Sequence, residues 1–200
     1  MTPIGVGQTA PSFRLPAATG GDVSLDDFRG RNPVVVWFTK GMACAFCRQH
    51  MSQLARGYGR FKDLRGELLQ ITLTPPERAR TYAEKFRLPF PYLCDPDYRV
   101  RRSWGLDRRA RSPLWYAGTL YACTKWPKPS DDFGKVPVAL AEMPKMLADD
   151  DAGLFVLDRA GIVRYASTAA YVTAQGVHAL PANEEIAAVL ADCERQGSRA

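Results

Sequence analysis

The chain has 200 residues, of which 46% are hydrophobic and 24% charged, with five Cys and a formal net charge of +6. That apolar content excludes a disordered chain, and the length and Cys count exclude a disulfide-stapled mini-protein. One domain over 1–200 is expected, burying roughly 70% of its unfolded surface with no metal or disulfide to supplement the core.

Taken in chain order, Phe13-Arg14-Leu15 and Val23-Ser24-Leu25 flank the turn signal Thr19-Gly20-Gly21-Asp22 and predict an N-terminal hairpin. Val34 to Phe38 is a continuous, largely β-branched apolar run, the pattern of a strand buried on both faces. After a Gly-Met-Ala-Cys loop, the spacing of Cys47, Met51, Leu54, Tyr58 and Phe61 predicts a helix from about Cys44 to Phe61. Leu68 to Leu73 predicts the next buried strand. Thr74-Pro75-Pro76-Glu77 reads as a helix start, with Thr74 as cap, Pro75 at the first position and Glu77 closing a capping box. Ala79, Tyr82 and Phe86 form that helix's inner stripe.

Pro89 to Cys94 then reads as a short extended segment, followed by the turn Asp95-Pro96-Asp97 and a basic helix over about 97–104. Residues 107–150, with Pro113, Pro127, Pro129, Pro137 and Pro144, form an irregular insertion. Leu154 to Asp158, Arg159-Ala160-Gly161 and Ile162 to Tyr165 predict a second hairpin. Asn183 caps a last helix carrying Ile186, Val189 and Leu190. The order resembles that of the thioredoxin-like fold: an α/β protein with a central mixed sheet flanked by helices, here with an N-terminal extension and an insertion before the late hairpin.

No apolar run is long enough to span a membrane, and the N-terminus lacks a basic region followed by an apolar one. A cytoplasmic protein with free thiols is expected. Arg99, Arg101, Arg102, Arg108, Arg109 and Arg111 cluster within 99–111, opposed only by Asp107. Such a cluster reads either as a nucleic-acid patch or as a solvated helix end, and no nucleic-acid motif accompanies it.

The sharpest chemical signal is Cys44-Ala45-Phe46-Cys47, placed after a buried strand and at a helix start. Two-residue spacing lets both sulfurs meet across the first turn. Free backbone N–H groups and the helix dipole favour a thiolate at Cys44 and predict a lowered pKa there. The second sulfur can then resolve a mixed disulfide or a sulfenic acid. Lys40 and Arg48 flank the pair and can stabilise its charge. The bland alternative is two small buried hydrophobes. Zinc would need Cys44, Cys47, His50 and a single recruited ligand such as Cys94, Cys123 or His178. Haem attachment fails because Arg48, not His, follows Cys47.

Gly7 to Leu15, Val23 to Gly30 and Val34 to Phe38 resemble the opening of the peroxiredoxins, the alkyl hydroperoxide reductase and thiol-specific antioxidant family. Leu88 to Asp97 and Phe155 to Val163 resemble later segments of that family, so that the similarity covers about 1–106 and 152–195. The Cys-x-x-Cys form resembles the peroxiredoxin-like branch with a thioredoxin-style pair. The resemblance implies a thiol-dependent oxidoreductase acting on a peroxide or a disulfide. It implies a Cys44–Cys47 disulfide, reduction by thioredoxin-type or low-molecular-weight thiols, and often a homodimer, with no organic cofactor and no metal.

Three departures stand out. Lys40 replaces the family's Pro and Cys44 its Thr, at offsets of seven and three before Cys47. The stretch 149–153 carries no Arg where one would polarise a peroxide. Gly153 stands where thioredoxins place a cis-Pro, leaving either room for substrate backbone or a simple turn. Thioredoxin logic makes Cys44 the nucleophile, and peroxiredoxin alignment makes it Cys47. A disulfide reductase without peroxidase activity and a non-catalytic redox sensor or binding protein stay open as alternatives.

Among the remaining residues, Cys94 and Cys193 read as buried bystanders and Cys123 as a bystander or a distant resolving thiol. His50, one turn past Cys47, reads as a base or, in preference, a solvated helix position, and His178 as a loop residue with no evident partner. Trp37 and Phe38 are expected around the active strand, while Trp104, Trp115, Tyr116, Tyr121 and Trp126 form either a lid or a satellite core.

Overall fold

The structure is a computed structural model, and it describes residues 2–42, 44–106, 112–125, 151–170, 172–173, 176–177 and 179–197. The N-terminal hairpin forms as β1 (Arg14–Pro16) and β2 (Asp22–Ser24). Then come β3 (Val34–Thr39), α1 (Ala45–Asp63), β4 (Glu67–Thr72), α2 (Pro76–Phe86), β5 (Tyr92–Cys94), α3 (Arg99–Ser103) and α4 (Pro113–Lys125). The late hairpin is β6 (Asp151–Leu157) and β7 (Val163–Ala170), longer than its apolar runs predict. A small pair, β8 (Val172–Thr173) and β9 (Gly176–Val177), precedes α5 (Asn183–Gly197).

The central sheet has the order β5-β4-β3-β6-β7. β3 runs parallel to β4 and antiparallel to β6, which makes the sheet mixed. Every residue of β3 is buried, as its unbroken apolar run requires. Its side chains alternate between two cores. Val35 and Trp37 pack under α1, α2 and α5 with Met51, Leu54, Tyr82 and Leu190. Val34, Val36 and Phe38 face the hairpin and α3 with Phe13, Leu25, Val100 and Phe155. Burying a side chain of this size stabilises the fold by about 1.5–3 kcal/mol. Since β3 is clamped on both faces and both edges, the loop at its C-terminal end leaves from a rigid base.

Three local expectations are corrected. Thr74 does not cap α2: Pro75 is the N-cap, Pro76 the first helical residue, and the Thr74 hydroxyl is taken up by Thr72 and Tyr92. Asn183 does not cap α5 but is its first helical residue, and its amide donates to Gln53 O (2.7 Å), tying α5 to α1. The basic helix is shorter than predicted, since Tyr98 takes a left-handed conformation and delays its start to Arg99.

The insertion is not wholly irregular, for 113–125 is helical. Trp104 belongs to the core, with ring centroids 5.1 Å from Phe38 and 5.0 Å from Phe155. By contrast Leu114 and Tyr121 are exposed, and Trp115 meets Tyr116 edge-on. Arg108, Arg109, Arg111, Trp126, His178 and the side chain of Cys123 lie outside the description.

Candidate active site

β3 ends at Thr39, and a turn through Gly41 and Met42 leads from the sheet toward Cys44 and α1. Gly41 opens this turn with φ +109°, a conformation that favours glycine. Its carbonyl accepts the Cys44 N–H at 3.2 Å, and the Cys44 carbonyl accepts the Arg48 N–H at 3.1 Å. Cys44, the predicted start, is thus the N-cap of α1, whose first helical residue is Ala45, and Cys47 is the third helical residue. The first turn holds no acidic residue to oppose negative charge on sulfur.

The two thiols are reduced and hydrogen-bonded to each other. Cys47 is fully buried and Cys44 nearly so, at 9% exposed. The lowered pKa expected at Cys44 is overturned. Its thiol is raised well above the ordinary value, first by its hydrogen bond to Cys47 and then by burial and the Cys47 charge. Lys40 and the Cys47 backbone N–H act in the opposite direction without reversing it. The helix terminus does favour negative charge, but the hydrogen bond to a second sulfur and burial outweigh it at Cys44.

Arg48 follows the pair into the interior. It is 9% exposed, and its Nη1 donates to Met42 O at 2.6 Å. Burial lowers its pKa, while the charges on Cys44 and Cys47 pull it back up. The guanidinium and the two sulfurs therefore stabilise one another electrostatically. His50, expected in solvent, is buried with its ring edge-on to Trp37 at 6.3 Å.

Gly153 lies level with Phe38 on one side and Thr168 on the other, within the sheet. A Cβ placed there would come within 2.7 Å of Leu106 Cδ1 and 2.8 Å of Phe155 Cε2. Neither reading of Gly153 holds: it is no turn but lies inside β6, and core side chains occupy the space beside it. Cys94 and Cys193 are buried, with thiols pushed up to about 12 and about 11, mainly by burial. Among the described residues no group of three His, Cys, Asp or Glu side chains is arranged to hold a metal ion.

Other residues at the site were not singled out in the sequence. Thr72, Thr74 and Tyr92 place three hydroxyls beneath Gly41. Arg101, counted in the basic cluster, is 1% exposed, and its Nη2 donates to Thr39 O at 3.1 Å. Asp95 anchors α3 by accepting the backbone N–H groups of Arg99, Val100 and Arg101. The turn Asp95-Pro96-Asp97 was the available signal, since an Asp ahead of a short basic helix is placed to take its free N–H groups.

A family model described as "AhpC/TSA family" matches residues 6–166. The chain is 33% identical over 103 residues to a protein named "Peroxiredoxin Q, chloroplastic" from Populus jackii, covering 52% of this chain and 48% of that one. It thus spans about half the length of this curated relative. Among solved structures it resembles "Peroxidoxin BcpB from Mycobacterium tuberculosis", with TM-score 0.59, 18% identity and 96% of each chain covered. It also resembles a reduced 2-Cys peroxiredoxin of Plasmodium vivax, with TM-score 0.62, 15% identity and coverage of 98% of this chain and 99% of that one. These two likenesses speak to the thioredoxin-like fold, whereas the family match takes in the hairpin, the cysteine turn and both later segments, β5 and the late hairpin. The chain belongs to the AhpC/TSA family.

Proposed function

We infer that the protein is a thiol peroxidase that cycles the Cys44–Cys47 pair between dithiol and disulfide. The observation that carries this reading is the hydrogen-bonded pair of reduced thiols at the N-terminus of α1, within the field of the Arg48 guanidinium. Following the peroxiredoxin alignment, Cys47 is the attacking sulfur and reacts as its thiolate. Its sulfur attacks one peroxide oxygen, the O–O bond breaks, and the departing oxygen takes a proton to leave as water or an alcohol. Cys47 is then a sulfenic acid. Cys44 attacks that sulfur, its proton leaves with the displaced hydroxide as water, and the disulfide closes. A dithiol reductant of the thioredoxin type, or a low-molecular-weight thiol, returns the two electrons by attack on the disulfide.

Full burial of Cys47 suits a small peroxide rather than a polypeptide disulfide. The filled side of Gly153 points the same way, since the position offers no open backbone to an extended substrate. No metal or organic cofactor enters the cycle, and a reducing compartment such as the cytoplasm would keep it charged. The test is hydrogen peroxide turnover by the full chain with a thioredoxin-type reductant, run beside insulin disulfide reduction. Peroxide turnover without insulin reduction is the expected result. Insulin reduction without peroxide turnover would replace this reading with a disulfide reductase. Oxidation to a disulfide with no turnover would leave a sensor.

A further inference from the structure

Three hydroxyls meet beneath the turn that carries the cysteines. Thr72 comes from the end of β4, Thr74 from the loop before α2, and Tyr92 from the start of β5. They form a closed triangle. The Tyr92 hydroxyl donates to Thr72 Oγ1 at 3.2 Å, Thr72 and Thr74 Oγ1 lie 3.0 Å apart, and Thr74 Oγ1 lies 3.4 Å from the Tyr92 oxygen. All three residues are buried. Burying hydroxyls is costly unless they are satisfied, and Val or Phe would fill the same volume without that cost. Thr74 gives up the capping role its sequence position offers in order to join them.

The triangle presses on Gly41. A Cβ on Gly41 would lie 2.4 Å from Thr74 Oγ1, 2.7 Å from Thr72 Oγ1 and 3.4 Å from the Tyr92 oxygen. The Gly41 carbonyl in turn holds the Cys44 N–H. The triangle is thus one residue contact removed from the cysteine turn, and the Tyr92 hydroxyl lies within the field of the Cys47 sulfur.

We propose that Thr72, Thr74 and Tyr92 are positioning residues for the redox pair, seating the Gly41 turn and fixing the Tyr92 hydroxyl beside the site so that charge on Cys47 is favoured. The proposal rests on the reading of Cys44–Cys47 as a working thiol pair. Of the other titratable and charged groups, Lys40 after β3 acts on Cys44 and Arg48 on α1 acts on both sulfurs, while Tyr82 of α2 acts on Arg48, Cys94 of β5 on Tyr92 and Glu77 of α2 on Cys94. Each stays in place in the variants below, apart from Tyr92 itself.

The experiment uses the full reduced chain and iodoacetamide, following alkylation of Cys47 by mass as a function of pH. Tyr92→Phe and Thr74→Val are expected to move the midpoint up by about 0.5–1 pH unit, the scale set by loss of a hydroxyl dipole at a thiolate. Thr74→Ser, which keeps the hydroxyl, is expected to restore the parent midpoint. Thiolate absorbance near 240 nm gives a second readout, and near-ultraviolet dichroism checks that each variant is folded. Unchanged midpoints in folded Tyr92→Phe and Thr74→Val would overturn the proposal, for a merely structural floor would change stability alone. Peroxide turnover is scored separately. A reactive pair with shifted midpoints but no turnover would sink the peroxidase and leave this inference standing.

Discussion

Arg48 Nη1 donates to Met42 O at 2.6 Å, so the residue after the second cysteine ties the helix back to the turn before the first. One side chain closes the loop on itself while carrying positive charge to both sulfurs. Arg48→Met is expected to slow oxidation of the reduced protein by hydrogen peroxide about a hundredfold, the scale on which a single charge-stabilising donor acts. Arg48→Lys keeps the charge but not the planar fork and should fall between. Stopped-flow tryptophan fluorescence can follow the reaction. An Arg48→Met rate equal to the parent's would remove the guanidinium from the chemistry.

The two cysteines should fail differently. Cys47→Ser is expected to lower peroxide consumption by about a thousandfold or more, as loss of a covalent nucleophile does. Cys44→Ser should still consume one equivalent of peroxide and then stop, trapped as a sulfenic acid that dimedone labels and mass spectrometry detects. Dimedone labelling of the Cys47→Ser chain instead would reverse the order of attack.

Stability of the reduced protein should fall in alkaline solution. The Cys94 and Cys193 thiols are raised to about 12 and about 11, and the Cys44 thiol is raised by its bond to Cys47. Above their ordinary value near 9.0 the unfolded chain binds fewer protons than the folded one, so folding stability declines with rising pH. The contribution is complete below about pH 8.5 and lost progressively toward pH 11–12. Urea midpoints at pH 8, 9, 10 and 11 measure this decline. Oxidised protein, with the Cys44 thiol removed, should show a shallower slope. A flat profile in the reduced form would contradict the burial argument.

Two glycines should resist replacement for different reasons. Gly41→Ala combines a strained φ of +109° with overlap on the hydroxyl triangle, and should cost about 1–3 kcal/mol or more. Gly153→Ala collides with Leu106 and Phe155 at ordinary backbone angles and should cost a similar amount. Adding Leu106→Ala should return part of the Gly153→Ala loss and none of the Gly41→Ala loss. Urea unfolding of the single and double variants decides this, and equal behaviour of the two glycines would refute the distinction.

Much of this was legible in the primary structure because it depends on local pattern. The apolar run Val34–Phe38, the turn signal around Gly20 and the stripe from Cys47 to Phe61 each name their element without help from distant residues. The pair spacing likewise carries its own chemistry. What stayed hidden depends on who meets whom. Thr74 looked like a cap until Tyr92, eighteen residues on, offered its hydroxyl a better partner. His50 looked solvated until Trp37 covered it. Arg101 looked like one charge among six until Thr39 took it inside. The thiol at Cys44 was misread because a helix terminus acts on any sulfur alone, whereas this one has a second sulfur as its hydrogen-bond partner.

The strand order has a consequence for how the chain is made. β5, β4 and β3 form a contiguous parallel unit from residues 34–94, which leaves the ribosome first. The opposite edge of β3 pairs only with β6, which begins at Asp151. Throughout synthesis of the intervening segment, the apolar strand that leads into the cysteine turn is left with an open edge. Nascent chains stalled between Cys94 and Asp151 should therefore bind holdase chaperones and cross-link through Cys47. Release of a stall beyond Leu157 should end both.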